Sequence, residues 1–96
     1  MEKLLVTVVI ATHNRASLLI RAINSILTQT FQDFEIIIVN DSSIDNTYEV
    51  IERLRESDPR INAFHSGHNI GPGAARNLGI KQANGEYIAI LDDDDI

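Results

Sequence analysis

At 96 residues, with 44% hydrophobic and 23% charged side chains, the chain has the composition of one small globular domain, and its lack of cysteine excludes disulfides and thiolate metal sites. A formal net charge of -6 with only eight scattered Lys and Arg argues against nucleic acid as a partner, because phosphate backbones are held by basic patches. The longest apolar run, Leu4 to Ala11, has eight residues against the roughly 20 that cross a bilayer; Met1-Glu2-Lys3 leaves no room ahead of it for a signal peptide, so a cytoplasmic location is expected.

That first run is rich in β-branched residues and nearly continuous, which predicts a strand covered on both faces, as in a parallel sheet. Thr12-His13-Asn14 ends it. With Asn14 read as an N-cap, Leu18, Leu19, Ala22, Ile23, Ile26 and Leu27 then recur at the spacing of one helical face. The unit repeats: Phe34 to Val39 reads as a strand, Asn40-Asp41-Ser42-Ser43 as a polar loop, and about Asp45 to Glu56 as a helix with Val50, Ile51 and Leu54 inward and Glu49 paired with Arg53.

Ile61 to His65 alternates apolar and polar residues, so it predicts a shorter strand near an edge. A loop from Ser66 to Gly73 leads to a helix over Ala74 to Asn84, closed by Asn84-Gly85 in the C′ position, and Tyr87 to Leu91 is the last strand. Strand and helix in alternation imply right-handed crossovers and a doubly wound α/β sheet with helices on both faces; the order expected is 3-2-1-4, with the first strand central and the fourth beside it on the far side from the second. Residues 1–96 then form a single Rossmann-like three-layer α/β/α domain.

Ligands of such sheets lie outside the carboxyl ends of the strands, at the switch in strand order. Three predicted strands end there in polar residues: Thr12-His13-Asn14, Asn40-Asp41-Ser42-Ser43, and the acidic run Asp92 to Asp95. The acidic run fits either a divalent cation held by oxygen ligands or a solvated acidic end. The first loop has no glycine and no Gly-Lys-Ser/Thr follows, which argues against a dinucleotide fingerprint and a Walker loop. Gly71-Pro72-Gly73 alone indicates a tight turn. His65 and His68 read as ordinary surface or loop residues. With a cation between them, carboxylates can grip a diphosphate that they would otherwise repel.

Five blocks together resemble a known family: Val8 to Arg15, Ile26 to Ile36, Asn40 to Thr47, Gly71 to Ile80, and Gly85 to Asp95 are similar to glycosyltransferase family 2, inverting enzymes of the GT-A fold. The resemblance covers nearly the whole chain. It implies a nucleotide diphosphate sugar as donor, commonly a UDP-sugar, and Mn²⁺ or Mg²⁺ held by an Asp-x-Asp motif that matches Asp92 and Asp94. It places Asp93 at the ribose, Asp41 at the base, and Ala11, Thr12 and Asn14 in the wall of the nucleotide pocket. Arg76 matches the arginine of the glycine-rich block. The chain departs from the family at His13, where a tyrosine is usual, and at Asn40, where the first of two acidic residues is usual.

The resemblance also places the acceptor pocket and the general base beyond residue 96, so the expectation is a donor-binding part truncated after the Asp-x-Asp motif, with no catalytic base of its own and an edge strand open to self-association. Two other readings remain at this point. One is a non-catalytic nucleotide- or metal-binding module. The other is a receiver-like Mg²⁺-binding signalling domain, which would want acidic residues after the first strand and a lysine at a later strand end.

Overall fold

A computed structural model describes residues 5–14, 16–29, 33–43 and 46–92. Its elements alternate: β1 (Val6–Thr12), α1 (Ala16–Leu27), β2 (Phe34–Asp41), α2 (Thr47–Ser57), β3 (Ile61–Ser66), α3 (Pro72–Lys81) and β4 (Tyr87–Asp92). The four strands form one parallel sheet, as the alternation predicts, and their order is the expected β3-β2-β1-β4.

Alternation along each strand divides the core. On one face Val8, Ile10, Ile36, Ile38 and Ile61 pack with Leu19 and Ile23 of α1 and Ile51 of α2. On the other, Ile37 and Val39 pack with Ala75 of α3, flanked by Ala11, Phe64, Ile70 and Leu78. The β-branched runs of β1 and β2 are thus covered twice, and each fully buried isoleucine contributes about 1.5–3 kcal/mol. β4 lies at the edge and exposes Tyr87 (57%), Ile88 (43%) and Ile90 (45%), the surface on which the expectation of self-association rests.

Three local expectations are corrected. Asn14 is no N-cap: its φ of 54° is left-handed, whereas an N-cap takes extended backbone. α3 starts at Pro72, whose fixed φ and missing N–H suit a first helical position, and it ends at Lys81 with Gln82 as C-cap. Asn84-Gly85 therefore does not close it. Those residues are held by tertiary bonds at the amino edge of the sheet: the Asn84 N–H donates to Glu35 Oε2 at 2.7 Å, the Gly85 N–H to Thr7 Oγ1 at 2.8 Å, and Thr7 Oγ1 to Glu35 Oε2 at 2.6 Å. Burial works to raise the Glu35 pKa, but these bonds together outweigh it and hold the carboxyl below its ordinary value. In α2 the ion pair found is Glu52 with Arg55 at 3.1 Å, not Glu49 with Arg53.

α3 can lie close to the sheet because Gly79 faces it. A Cβ there would stand 2.4 Å from Val9 Cγ1 and 3.3 Å from Val39 Cγ2. Gly79→Ala gains up to about 1 kcal/mol of helix propensity but forces α3 off β1 and β2, at about 1–3 kcal/mol for overpacking. Urea unfolding is therefore expected to show a net loss of stability, not the gain that an exposed helical Gly→Ala change gives.

Candidate functional site at the carboxyl edge of the sheet

The loops after β1, β2 and β3 are tied to one another at the carboxyl edge. Asn14 and Ser42 are the two non-glycine residues with positive φ among the described residues, at 54° and 48°, and both lie in these loops. Such backbone is uncommon and persists where its surroundings hold it. Here the holding bonds cross between loops. The Asn14 N–H donates to Ser43 Oγ at 2.9 Å, and His13 Nδ1 meets the Asp41 carbonyl. The Asn14 side-chain amide reaches His13 Nε2 at 3.2 Å, so a neutral ring with its proton on Nδ1 satisfies both contacts.

Asp41 joins the third loop. The residue is 5% exposed, and its carboxylate accepts from the Ile70 N–H at 2.8 Å and the Gly71 N–H at 3.0 Å, at the amino end of α3, where negative charge is favoured. Gly71 has a φ of 86°, open to glycine at little cost, so the turn can aim its N–H at that carboxylate.

A second cluster lies on the opposite face, where Thr12, Asn40 and His65 stand side by side in register. Asn40 Oδ1 accepts from the Ser43 N–H at 3.2 Å, and its Nδ2 lies 3.0 Å from His65 Nδ1. His65 Nε2 lies 2.9 Å from Glu52 Oε2, and the ring packs on Tyr48 with centroids 4.1 Å apart. The hydrogen bond from His65 is the main cause that holds the Glu52 carboxyl below its ordinary value; burial opposes it and Arg55 adds to it.

The fourth strand reaches the same edge. Asp92 is the register partner of Ala11, one residue from Thr12. Asp93 and Asp94 lie outside the described residues, and among the described residues no group of three or more His, Asp or Glu could hold a metal ion. The donor chemistry still fits: the acidic run that continues the sequence from Asp92 offers the oxygen ligands that Mn²⁺ and Mg²⁺ take. Arg76 is on α3, which begins at the turn that Asp41 holds.

Of the residues expected to form a site, Ala11, Thr12, Asn14, Asp41 and the backbone of Asp92 thus meet at one edge. Asn40 and Ser43 were expected there only as part of the polar loop after β2, and His65 and Glu52 were not expected there. One signal was available: His65 shares the α2-facing side of β3 with Ile61 and Ala63, an unusual place for a solvated histidine.

A family model for glycosyl transferase family 2 matches residues 7–96. The chain belongs to that family. It is 46% identical over 91 residues to an uncharacterized glycosyltransferase of Rickettsia bellii, covering 95% of this chain and 13% of the relative. It is 43% identical over 90 residues to the GalNAc(5)-diNAcBac-PP-undecaprenol beta-1,3-glucosyltransferase of Campylobacter jejuni, covering 93% and 29%. Among solved structures, a mannosyltransferase of Pyrobaculum calidifontis in complex with GDP-Man and Mn²⁺ superposes with a TM-score of 0.86 at 28% identity, over 93% of this chain and 27% of that one. S. aureus TarS 1-349 in complex with UDP gives 0.85 at 32% identity, again over 93% and 27%. The fold is therefore that of GT-A glycosyltransferases, and this family 2 chain spans 13% to 29% of the curated relatives just named.

Because Asp41 carries the junction between the second and third loops, Asp41→Ala leaves the Ile70 and Gly71 amides without their acceptor, at a cost of about 1–3 kcal/mol. Hydrogen exchange at those two amides is expected to speed up markedly, while Asp41→Asn, which keeps one acceptor oxygen, falls between.

Proposed function

We propose that this chain is the donor-binding part of a metal-dependent, inverting glycosyltransferase that takes a sugar from a nucleotide diphosphate sugar, with a UDP-sugar as the expected donor. The observation that carries this reading is the meeting of the β1, β2 and β3 loops with the end of β4 at one edge of a 3-2-1-4 sheet. The complexes of related proteins with UDP and with GDP-Man and Mn²⁺ support it.

In this reading the base lies against Ala11 and Thr12, whose backbone ends β1. Asn14, fixed by Ser43, closes one side of the pocket. Asp41 shapes the base subsite by holding the Ile70–Gly71 turn, and each of its oxygens keeps a second lone pair for a donor on the base. Asp93 is assigned to the ribose. Arg76, on the helix behind the glycine-rich turn, is assigned to the phosphates or to bracing that turn. Asp92 and Asp94 would hold the divalent cation, Mn²⁺ or Mg²⁺, which when bound supplies charge neutralisation of the diphosphate and Lewis-acid help to its departure.

The transfer itself is a single displacement. The acceptor oxygen bonds to the anomeric carbon from the face opposite the diphosphate, the bond from that carbon to the diphosphate oxygen breaks, and a general base takes the hydroxyl proton. Glu35 cannot be that base: it sits at the amino edge, bound to Thr7 and Asn84. The base and the acceptor pocket are assigned to sequence outside these 96 residues.

Calorimetry with UDP tests the proposal. Binding is expected with Mn²⁺ present, at least tenfold weaker with a chelator, and weakened to a similar degree by Asp94→Ala. Equal affinity with and without the cation would contradict the assigned role of the acidic motif.

A further inference from the structure

His65 is unaccounted for by the donor site as assigned, yet it is the best-connected polar side chain on β3. Its Nε2 lies 2.9 Å from Glu52 Oε2, its Nδ1 lies 3.0 Å from Asn40 Nδ2, and one ring face packs on Tyr48. Proton counting fixes the roles. Glu52 is an acceptor only, so His65 Nε2 carries the proton, and Nδ1 of the neutral ring is then the acceptor that the Asn40 amide needs. With Nδ2 committed to the ring, Asn40 Oδ1 is the atom that faces the Ser43 N–H, at 3.2 Å. Ser43 Oγ in turn accepts from the Asn14 N–H at 2.9 Å, and Asn14 is the left-handed residue of the β1 loop.

We infer that His65 is a positioning residue for the nucleotide pocket: held between Glu52 and Asn40, its neutral ring orients the Asn40 amide, which fixes Ser43 and through it Asn14. The inference rests on the donor-site reading above. It is particular to this chain, since an aspartate at position 40, the residue type that the family resemblance leads one to expect, has no donor to orient.

The relay has a built-in sensitivity to protonation. If His65 takes a proton at Nδ1, two donors face each other across the contact with Asn40. Turning the Asn40 amide over restores that contact but points Nδ2 at the Ser43 N–H, again donor to donor. One of the two bonds must be lost in either arrangement, and the β2 loop loosens from the β1 loop. The charged and titratable groups that face His65 among the described contacts are Glu52 and Tyr48 from α2, with Arg55 ion-paired to Glu52; β2 presents only the neutral Asn40. His13, in the β1 loop, meets the Asp41 carbonyl and the Asn14 amide and makes no contact with Asn40 or Ser43 in the bonds described above.

Nuclear magnetic resonance of the chain between about pH 8 and pH 5, the range over which histidines in general change charge, is the direct test. The Ser43 backbone amide and the Asn40 side-chain amide are expected to shift in step with the His65 ring. Over the same range UDP affinity, measured with Mg²⁺, is expected to fall more in the parent chain than in Asn40→Asp, by about three- to tenfold, the worth of one hydrogen bond. The carboxylate introduced by Asn40→Asp accepts from Ser43 and from a protonated His65 at once, while UDP itself and His13 are common to both measurements. His65→Phe, which keeps the packing on Tyr48, is expected to weaken UDP binding at pH 8 with the fold intact by hydrogen exchange. A Ser43 amide indifferent to the His65 ring, or equal acid dependence in the parent chain and Asn40→Asp, would overturn the inference. Loss of all UDP binding at pH 8 with Ser43 still following His65 would overturn the donor-site reading and leave the relay standing.

Discussion

Parallel pairing of β1 with β2 on one side and β4 on the other is the constraint on which the rest of this molecule depends. It puts all four strand ends on one edge, so that residues up to 30 positions apart in sequence, such as Asp41 and Gly71, share hydrogen bonds. The opposite edge is fastened by a different set, Thr7, Glu35, Asn84 and Gly85, which locks the turn into β4. Close approach of α3 through Gly79 brings that helix to β1 and β2 without a gap. One edge is therefore closed by structural bonds, and the other carries the loops.

Much of this was legible in the sequence, because burial on both faces leaves a simple mark. Leu4 to Ala11 and Phe34 to Val39 read as buried parallel strands from their β-branched runs, and the order 3-2-1-4 was expected because it is the one that brings the polar strand ends together at one crevice. Asp41 was placed correctly at the edge for that reason. Its engagement with the backbone of the third loop was not legible, since nothing in a sequence says which N–H groups a carboxylate will find.

The boundaries that differed share one physical cause. Asn84-Gly85 has the form of a helix end, but Glu35, 49 positions earlier, takes the Asn84 N–H, and local capping loses to a tertiary bond. Asn14 resembles an N-cap until Ser43 claims its N–H and its backbone turns left-handed. His65 was read as a surface residue because its partners, Asn40 and Glu52, lie 25 and 13 positions away. In each of these a polar group, backbone or side chain, has a partner set by the sheet. Apolar periodicity carries no information about it.

The central claim is that the carboxyl edge, and not the amino edge, receives a metal-bound nucleotide. Paramagnetic broadening by Mn²⁺ in the presence of UDP measures this most directly, because its effect falls steeply with distance and β1 is about 20 Å long at ~3.3 Å per residue. The amides of Ala11, Thr12, Ser43 and Gly71 are predicted to broaden while those of Asn84 and Gly85 stay sharp. Broadening centred on Glu35, Asn84 and Gly85, or spread evenly over both edges, would contradict the account.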